Sequence, residues 1–270
     1  RLWFYSVEHL GNNNMSIIKT TLENHIAIIT INRPEAYNAM NPNVIESLEN
    51  QIIDFIDDDN VGTIILTGEG DKAFIAGADI KKMNEMTQKE ALEFGKSGQN
   101  LTLTIENSSK PIIAAVNGFA LGGGCEISLA CHIRVASENA QFGQPEVLLG
   151  ILPGWGGTQR LPRIVGIGLA NELIATGRRI SAQEAKDIGL VNHVVGQDKL
   201  IQKCKDISNE ILKNGPNAIA KSLQCIRYGI GRNLDEGLKF EVEAFSSLFD
   251  KPESQEGLAA FVEKRKAKFR

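Results

Sequence analysis

The sequence Asn117-Gly-Phe-Ala-Leu-Gly-Gly-Gly-Cys-Glu126 joins two segments of different character and indicates the class of fold. Before it, Pro111-Ile-Ile-Ala-Ala-Val116 is short, continuous and apolar, which is typical of a strand buried in a parallel sheet. After it, residues 125–130 favour a helix. Three consecutive glycines between a strand and a helix leave bare backbone that a ligand can approach closely. The stretch therefore predicts a strand–turn–helix unit with an accessible turn.

The same turn is a candidate active site. The first N–H groups of a helix have no acceptor within the helix and lie at the positive end of its dipole, so they can stabilise an anion or a developing oxyanion. Glu126 adds a carboxylate to the first turn of this helix. The alternative interpretation is structural, because glycine-rich turns are common and a first-turn glutamate often only complements the dipole. The rest of the chain has to separate the two interpretations.

The composition is that of an ordinary globular protein. The chain has 270 residues, of which 42% are hydrophobic and 23% are charged, and its formal net charge is −4. This balance gives no indication of a nucleic-acid partner or a membrane surface, and no apolar run approaches the roughly 18 residues of a membrane span. The four cysteines have neither CxxC nor Cys/His spacing, so we expect no metal site. We interpret them as reduced thiols of a cytoplasmic protein.

Residues 1–14 differ from the rest of the chain. They lack a starting Met, carry three adjacent aromatic residues, and end in three asparagines before Met15. A secretory signal needs a longer apolar region than this segment has. We therefore expect Met15 to be the native start and residues 1–14 to be an appended leader.

Predicted strands and helices alternate over most of the chain. Apolar, β-branched runs predict strands at 25–32 and 63–67, and Asn41-Pro42 predicts the capped start of a helix. Further expected elements are a helix at 89–107 and strands at 132–136, 140–143 and 190–195. This alternation predicts an α/β fold with a largely parallel core. From Ala182 the pattern is otherwise helical, so we place a boundary near 196–200 and expect an α/β core over 15–195 and a helical region over 196–270.

Two further features fall near the ends of predicted strands. Ala76-Gly-Ala78 again bares the backbone, and Asp79 can cap a short helix after it. Gln144-Pro-Glu146 supplies a second carboxylate, 20 residues after Glu126. Ligand sites in layered α/β folds gather at the carboxyl ends of strands, where both small-residue turns fall.

Taken together, four segments resemble the crotonase superfamily, the enoyl-CoA hydratases and isomerases. They are the turns at 76–78 and 117–126, Phe142-Gly-Gln-Pro-Glu146, and Gly154-Trp-Gly-Gly-Thr-Gln-Arg-Leu161. The resemblance extends from about Ile26 to the run Phe261–Lys266, nearly the whole chain after Met15. It implies an α/β spiral of ββα units with a C-terminal helical trimerisation region, usually assembled as a homo-hexamer that is a dimer of trimers.

The resemblance also implies roles for single residues. The backbone N–H groups of Ala78 and Gly123 would form an oxyanion hole for a thioester carbonyl, Glu126 would bind and activate water, and Glu146 would donate the main proton to C2. The coenzyme A part of the substrate would follow a path lined by Ala76, Gly77, Ala78, Asp79, Ile80, Lys81 and Gly123. No separate cofactor is implied, since coenzyme A belongs to the acyl-CoA substrate. The expected reaction is the reversible syn hydration of 2-trans-enoyl-CoA to 3-hydroxyacyl-CoA.

Several alternatives stay open from the sequence. A Δ3,Δ2-enoyl-CoA isomerase needs the oxyanion hole and one base, and a non-enzymatic acyl-CoA-binding protein needs neither acid. Lys81 either meets a coenzyme A phosphate or is a solvated surface residue, and Asp79 fits a helix cap better than a catalyst. Trp155 either packs against the glycine turn or shortens the acyl pocket.

Overall fold

The computed structural model describes residues 16–270, so the leader expected at 1–14 and the start expected at Met15 lie outside the described residues. The strands of this part are β1 (Ile18–Glu23), β2 (Ile26–Ile31), β3 (Thr63–Gly68), β4 (Ala73–Ile75), β5 (Ile112–Val116), β6 (Phe119–Leu121), β7 (Ile133–Ser137), β8 (Gln141–Gly143), β9 (Arg179–Ser181) and β10 (His193–Val195). The α-helices are α1 (Pro42–Asp57), α2 (Ile80–Met83), α3 (Gln88–Glu106), α4 (Gly123–Ala130), α5 (Gly157–Val165), α6 (Ile167–Thr176), α7 (Ala182–Asp187), α8 (Leu200–Leu212), α9 (Pro216–Gly229), α10 (Leu234–Ser247) and α11 (Pro252–Val262).

The strands form two sheets. One has the order β1-β2-β3-β5-β7-β10, in which only the β1–β2 pair is antiparallel. The other has the order β4-β6-β8-β9, in which only the β8–β9 pair is antiparallel. The consecutive pairs β3–β4, β5–β6 and β7–β8 each place one strand in each sheet, and helices follow each pair. This repetition is the spiral of ββα units that the family resemblance implied.

Both faces of the larger sheet are covered, which explains its continuous apolar runs. Successive side chains of a strand point to opposite faces. Accordingly, Ile64 and Leu66 of β3 pack in the main core, whereas Ile65 faces a second cluster that contains Leu200 and Cys204 of α8. A strand with two buried faces cannot alternate between apolar and polar residues.

The packing of α8 against the larger sheet crosses the predicted boundary at residue 196. Helix α8 covers the outer face of the larger sheet, so a division there would separate Leu200 from the strands it contacts. The division into a core and a helical region remains a prediction. Large apolar side chains are exposed on α9, α10 and α11: Ile226, Leu234, Leu238, Val242, Phe245, Leu258, Phe261 and Val262.

Some elements differ from their predicted form. The strand expected at 190–195 is only His193–Val195, and the helix expected from Cys125 begins at Gly123. Strand β6 lies inside the stretch that was interpreted as a turn, and β1, β4 and β9 were not predicted.

No helix within residues 16–270 is long and apolar enough to cross a membrane. That same range holds no group of three or more His, Cys, Asp or Glu side chains that could bind a metal ion.

Candidate active site

The glycine turn places the first turn of α4 against the smaller sheet. Gly122 has a φ of +52°, a backbone conformation that glycine adopts readily and other residues rarely do. Its N–H donates to the Gly143 carbonyl at the end of β8, at 2.9 Å. A Cβ on Gly124 would overlap the Ile75 carbonyl at the end of β4. The glycines are therefore required for the close approach of α4 to the two strand ends.

The second small-residue turn is held by its neighbours through the backbone. The Met40 N–H donates to the Gly77 carbonyl at 2.9 Å, and the Asp79 N–H donates to the Met40 carbonyl at 2.8 Å. These two hydrogen bonds form a parallel β-bridge between Met40 and Ala78, in which the N–H of Ala78 points away from Met40. The N–H groups of Ala78 and Gly123 have no acceptor anywhere in residues 16–270. Because β4 and β6 are paired, the two turns that carry these donors lie side by side.

Glu126 lies in the first turn of α4 and is only 2% exposed. Its Oε1 accepts hydrogen bonds of 2.7 Å from the backbone N–H groups of both Trp155 and Gly157. The pKa of this carboxyl lies above its ordinary value. Burial raises the pKa by more than the two N–H donors and the positive charge of Arg160 lower it. Its Oε2 accepts no hydrogen bond from any residue of the described range and stays free for a ligand. One oxygen is thus fixed and the other is available.

The loop that binds Glu126 is itself braced. The Trp155 carbonyl accepts hydrogen bonds from Arg160 Nη1 at 3.0 Å and from Thr102 Oγ1 at 3.1 Å. Arg160 also forms a two-point pair with Glu106, with Nε–Oε1 at 3.2 Å and Nη2–Oε2 at 2.9 Å. Sequence reasoning missed this network, since Thr102 and Glu106 on α3 are more than 50 residues from their partners Trp155 and Arg160. The planar guanidinium suits such a brace because its donors form a rigid fork.

Glu146 lies beside the start of α4. It occupies the first turn of a short 3-10 helix, Pro145–Leu149, directly after β8. A Cβ on Gly122 would be 3.0 Å from Glu146 Oε1, which puts the carboxylate next to the glycine turn. The Gln144 amide, oriented so that it can donate, has its nitrogen 3.0 and 3.2 Å from the two Glu146 oxygens. Burial, with a smaller contribution from the charge of Glu126, raises the pKa of Glu146 to about 7.

Of the other predicted residues in the turn around Ala78, Gly77 is buried, whereas Ile80 and Lys81 lie at the surface. Asp79 is the N-cap of α2, where its side chain accepts from the Lys82 N–H at 3.4 Å, and it also pairs with Arg33 at 3.7 Å. These contacts fit the cap interpretation of Asp79 and give it no place beside the two glutamates. Ile80 is 49% exposed, and Lys81 is exposed as well. The path along residues 76–81 remains a prediction.

Comparisons with known proteins extend the similarity to almost the whole chain. Residues 21–270 match the family model described as enoyl-CoA hydratase/isomerase. The chain is 48% identical over 254 residues to the short-chain-enoyl-CoA hydratase of Clostridium acetobutylicum, which covers 94% of this chain and 96% of that protein. It is 47% identical over 247 residues to the crotonyl-CoA hydratase of Syntrophomonas wolfei, with coverages of 92% and 95%. The crystal structure of enoyl-CoA hydratase from Bacillus anthracis matches with a TM-score of 0.91 at 41% identity, and covers 94% of this chain and 99% of that one.

Proposed function

The chain belongs to the enoyl-CoA hydratase/isomerase family, and we propose that it adds water reversibly across the double bond of a 2-trans-enoyl-CoA through Glu126 and Glu146. The product is a 3-hydroxyacyl-CoA, so the enzyme is a carbon–oxygen lyase. One observation is the main support for this proposal. The carboxylates of Glu126 and Glu146, which differ in their surroundings, both lie at the N-terminus of helix α4.

The backbone N–H groups of Ala78 and Gly123 are proposed to hold the thioester carbonyl oxygen. As water adds to C3, electron density moves through C2 to this oxygen, and an enolate develops. Fixed amide donors stabilise that charge without reorganising, and one such donor is typically worth about 3–4 kcal/mol. The proposal is supported by the adjacency of the two turns and by the lack of any other acceptor for these N–H groups in residues 16–270.

The two glutamates suit the two proton transfers. Burial, with a smaller contribution from the charge of Glu126, raises the pKa of Glu146 to about 7, so near neutral pH Glu146 can hold the proton that C2 needs. Glu126, whose Oε1 is fixed by two N–H donors, retains Oε2 to bind the water and accept its proton as the C3–O bond forms. One proton leaves the water and one reaches C2, so the atoms balance. Exchange with solvent returns both carboxyls to their starting states.

The proposal is tested by identifying the product from crotonyl-CoA in isotopically labelled water. We expect 3-hydroxybutyryl-CoA that carries one labelled oxygen at C3. Binding of the thioester without any hydroxylated product would contradict the proposal. A Δ3,Δ2-enoyl-CoA isomerase is the alternative, and it would convert a 3-enoyl-CoA to crotonyl-CoA without incorporating oxygen. No observation favours it, because one base suffices for that reaction and this site contains two carboxylates.

The acyl-CoA substrate is proposed to approach over residues 76–81, with coenzyme A at the surface around Ile80 and Lys81. The exposure of these two residues beside Ala78 supports this route.

The four cysteines are free thiols, which supports the proposed cytoplasmic location.

A homo-hexamer built from two trimers is proposed for the assembly. The exposed apolar side chains of α10 and α11, among them Phe245 at 60% and Phe261 at 84%, support an interface between copies of this chain. Sedimentation of the full chain is expected to give a hexamer. A monomer at micromolar concentration would contradict the proposed assembly and would leave the catalytic proposal untouched.

A further inference from the structure

Arg134 of β7 is a buried cation without a carboxylate partner. It is 9% exposed, and it points to the same side of the sheet as Ala136, which packs in the main core. Its Nε donates to the Leu190 carbonyl at 2.7 Å, and its Nη1 donates to the carbonyls of Ser128 at 3.2 Å and Cys131 at 2.6 Å. Among residues 16–270, no Asp or Glu side chain forms an ion pair with this guanidinium. A buried charge with only neutral partners is costly unless another interaction compensates for it.

The compensating interaction is with the C-terminal end of α4. Ser128 belongs to the last turn of this helix, and Cys131 follows directly after its last residue, Ala130. The last carbonyls of a helix have no N–H partner within it and together carry about half a negative elementary charge. A cation that binds these carbonyls is therefore stabilised. Arg134 thus caps one end of the helix whose other end carries the N–H of Gly123, a proposed oxyanion donor.

The dipole of α4 is not screened by water. All eight residues of this helix are buried, so both of its ends act in a medium of low dielectric constant. The thiols near Arg134 do not cancel its charge, because burial raises the pKa of Cys125 and of Cys131 to about 12 and both are uncharged near neutral pH. Against the effect of burial, the charge of Arg134 lowers the pKa of Cys125. That charge is therefore felt in the first turn of α4.

We propose that Arg134 assists hydration by offsetting the negative end of α4, so that the positive end at Gly123 stabilises the enolate oxygen more strongly. Arg134 touches neither the substrate nor the reacting atoms, so it is a positioning residue that acts through the helix. The inference rests on the proposed function and adds a residue to it. The eight residues of α4 span about 12 Å, and a unit charge acting over that distance inside a protein changes a rate about tenfold.

Three substitutions separate the charge of Arg134 from its hydrogen bonds. Arg134→Lys keeps the charge with fewer donors, Arg134→Gln keeps neutral donors, and Arg134→Met keeps neither. With crotonyl-CoA, we expect kcat to fall about tenfold in the two neutral variants and to stay within about threefold of wild type in Arg134→Lys. KM should change little, because the full enolate charge develops only in the transition state.

A second measurement reports the field at the thioester oxygen without any turnover. Saturated butyryl-CoA has no double bond to hydrate, and an isotopic label in its thioester carbonyl gives that group a separate infrared band. A stronger field from the donors lowers the stretching frequency of the bound carbonyl. We expect wild type and Arg134→Lys to give the same frequency. In Arg134→Gln and Arg134→Met the band should move towards that of free butyryl-CoA.

A substitution at position 131 tests the same charge without removing the guanidinium. Cys131→Asp places a carboxylate beside Arg134 and cancels its charge, and Cys131→Asn is the uncharged counterpart. Only the aspartate variant should lower kcat and shift the infrared band. This pair of variants decides the question even if a neutral residue at position 134 prevents folding.

Arg270→Gln is the matched control. Arg270 caps another helix, α8, through hydrogen bonds to the carbonyls of Leu212 and Asn214. Helix α8 lies on the outer face of the larger sheet, where Leu200 packs, and does not lead to the site. The control should leave both kcat and the infrared band unchanged.

Three results would overturn the inference. One is a folded Arg134→Gln with the kcat and the infrared band of wild type. Another is Arg134→Lys impaired as much as Arg134→Met, which would assign the effect to hydrogen bonds alone. The third is equal behaviour of Cys131→Asp and Cys131→Asn. A wild type that fails to hydrate crotonyl-CoA would refute the proposed function itself, whereas the infrared band would still decide the role of Arg134, so the two failures are distinguishable.

Discussion

The carboxylate of Glu126 accepts a 2.7 Å hydrogen bond from the backbone N–H of Trp155, which joins the first turn of α4 to a loop 29 residues away. Every substitution at position 155 except proline keeps this backbone donor. What can be altered is the network that holds the loop and the turn in place.

The rate of hydration is expected to fall as pH rises through about 7. Glu146 has to carry a proton for C2, and its pKa is raised to about 7, mainly by burial. Above that pKa the protonated fraction decreases tenfold for each pH unit, and kcat/KM for crotonyl-CoA should decrease with it. Initial rates between pH 5 and pH 10 provide the measurement. A flat profile between pH 6 and pH 9 would be inconsistent with Glu146 as the proton donor.

The substitution Glu146→Gln is expected to stabilise the fold at alkaline pH. The pKa of Glu146 rises from 4.5 when unfolded to about 7 when folded, so the folded state holds a proton that the unfolded state loses. The wild type therefore loses stability as pH rises from 4.5 to about 7, and the penalty then stays constant. After allowing for solvent screening, we expect the variant to gain about 1–3 kcal/mol at pH 8 and almost nothing near pH 4.5.

Urea unfolding at pH 5 and pH 8, at one protein concentration, measures this gain. The matched control is Glu138→Gln, a change at an exposed glutamate at the end of β7. An equal gain for Glu146→Gln at both pH values would show that its origin is not the ionisation of Glu146.

Removal of the Arg160 guanidinium is expected to impair catalysis through Glu126. Arg160→Met keeps a similar length but removes one of the two donors to the Trp155 carbonyl and leaves Glu106 without its partner. A small displacement of a catalytic group commonly costs up to about 100-fold, so we expect kcat to fall about 10- to 100-fold with little change in KM. Arg160 also lowers the pKa of Glu126. Its loss should therefore move the acid limb of the pH–rate profile to higher pH.

Arg163→Met is the matched control for this prediction. Arg163 lies on the same helix, α5, and within the described residues its guanidinium donates a hydrogen bond only to the Gln159 carbonyl. Its substitution should leave kcat and the acid limb unchanged. If both arginine variants behave alike, the brace of the loop has no role in catalysis.

The two glycines Gly124 and Gly95 are expected to respond oppositely to alanine. A Cβ on Gly124 would overlap the Ile75 carbonyl, whereas a Cβ on Gly95 of α3 meets no atom within 4 Å. Gly124→Ala should destabilise the fold by about 1–3 kcal/mol and lower hydration, because it displaces the turn that carries the Gly123 donor. Gly95→Ala should gain about 0.5–1 kcal/mol by favouring the helix, with unchanged activity. Thermal unfolding and crotonyl-CoA turnover of both variants check the pair.

The central strands of the larger sheet, β3 and β5, could be predicted because they are buried on both faces. Ile64, Ile65 and Leu66 form an uninterrupted apolar run, and such runs are visible in sequence. Strands of the smaller sheet are only three residues long, so β6 was hidden within the glycine stretch. Strand β1 was missed because most of its residues are exposed, so its sequence contains no buried run.

The candidate site was predicted in its residues but not in its supports. Glu126 and Glu146 were identified from their places after predicted strands, the resemblance implied their roles, and both lie beside the same helix start. The donors from Trp155 and Gly157, and the Gln144 amide beside Glu146, were not assigned to these roles. Their contacts depend on how distant segments pack, and a backbone N–H leaves no signature in the sequence. The sequence offered one signal, a glutamine two residues before the candidate Glu146.

The most direct test of the two-carboxylate site is the loss of conjugated enoyl-thioester absorbance from crotonyl-CoA with wild type, Glu126→Gln and Glu146→Gln. The account predicts rapid loss with wild type and a rate about 10²- to 10⁴-fold lower for each variant, since each removes one proton transfer. Both glutamines preserve the shape of the site, so circular dichroism should show folded proteins. A folded Glu126→Gln or Glu146→Gln variant that hydrates crotonyl-CoA at the wild-type rate would contradict the account.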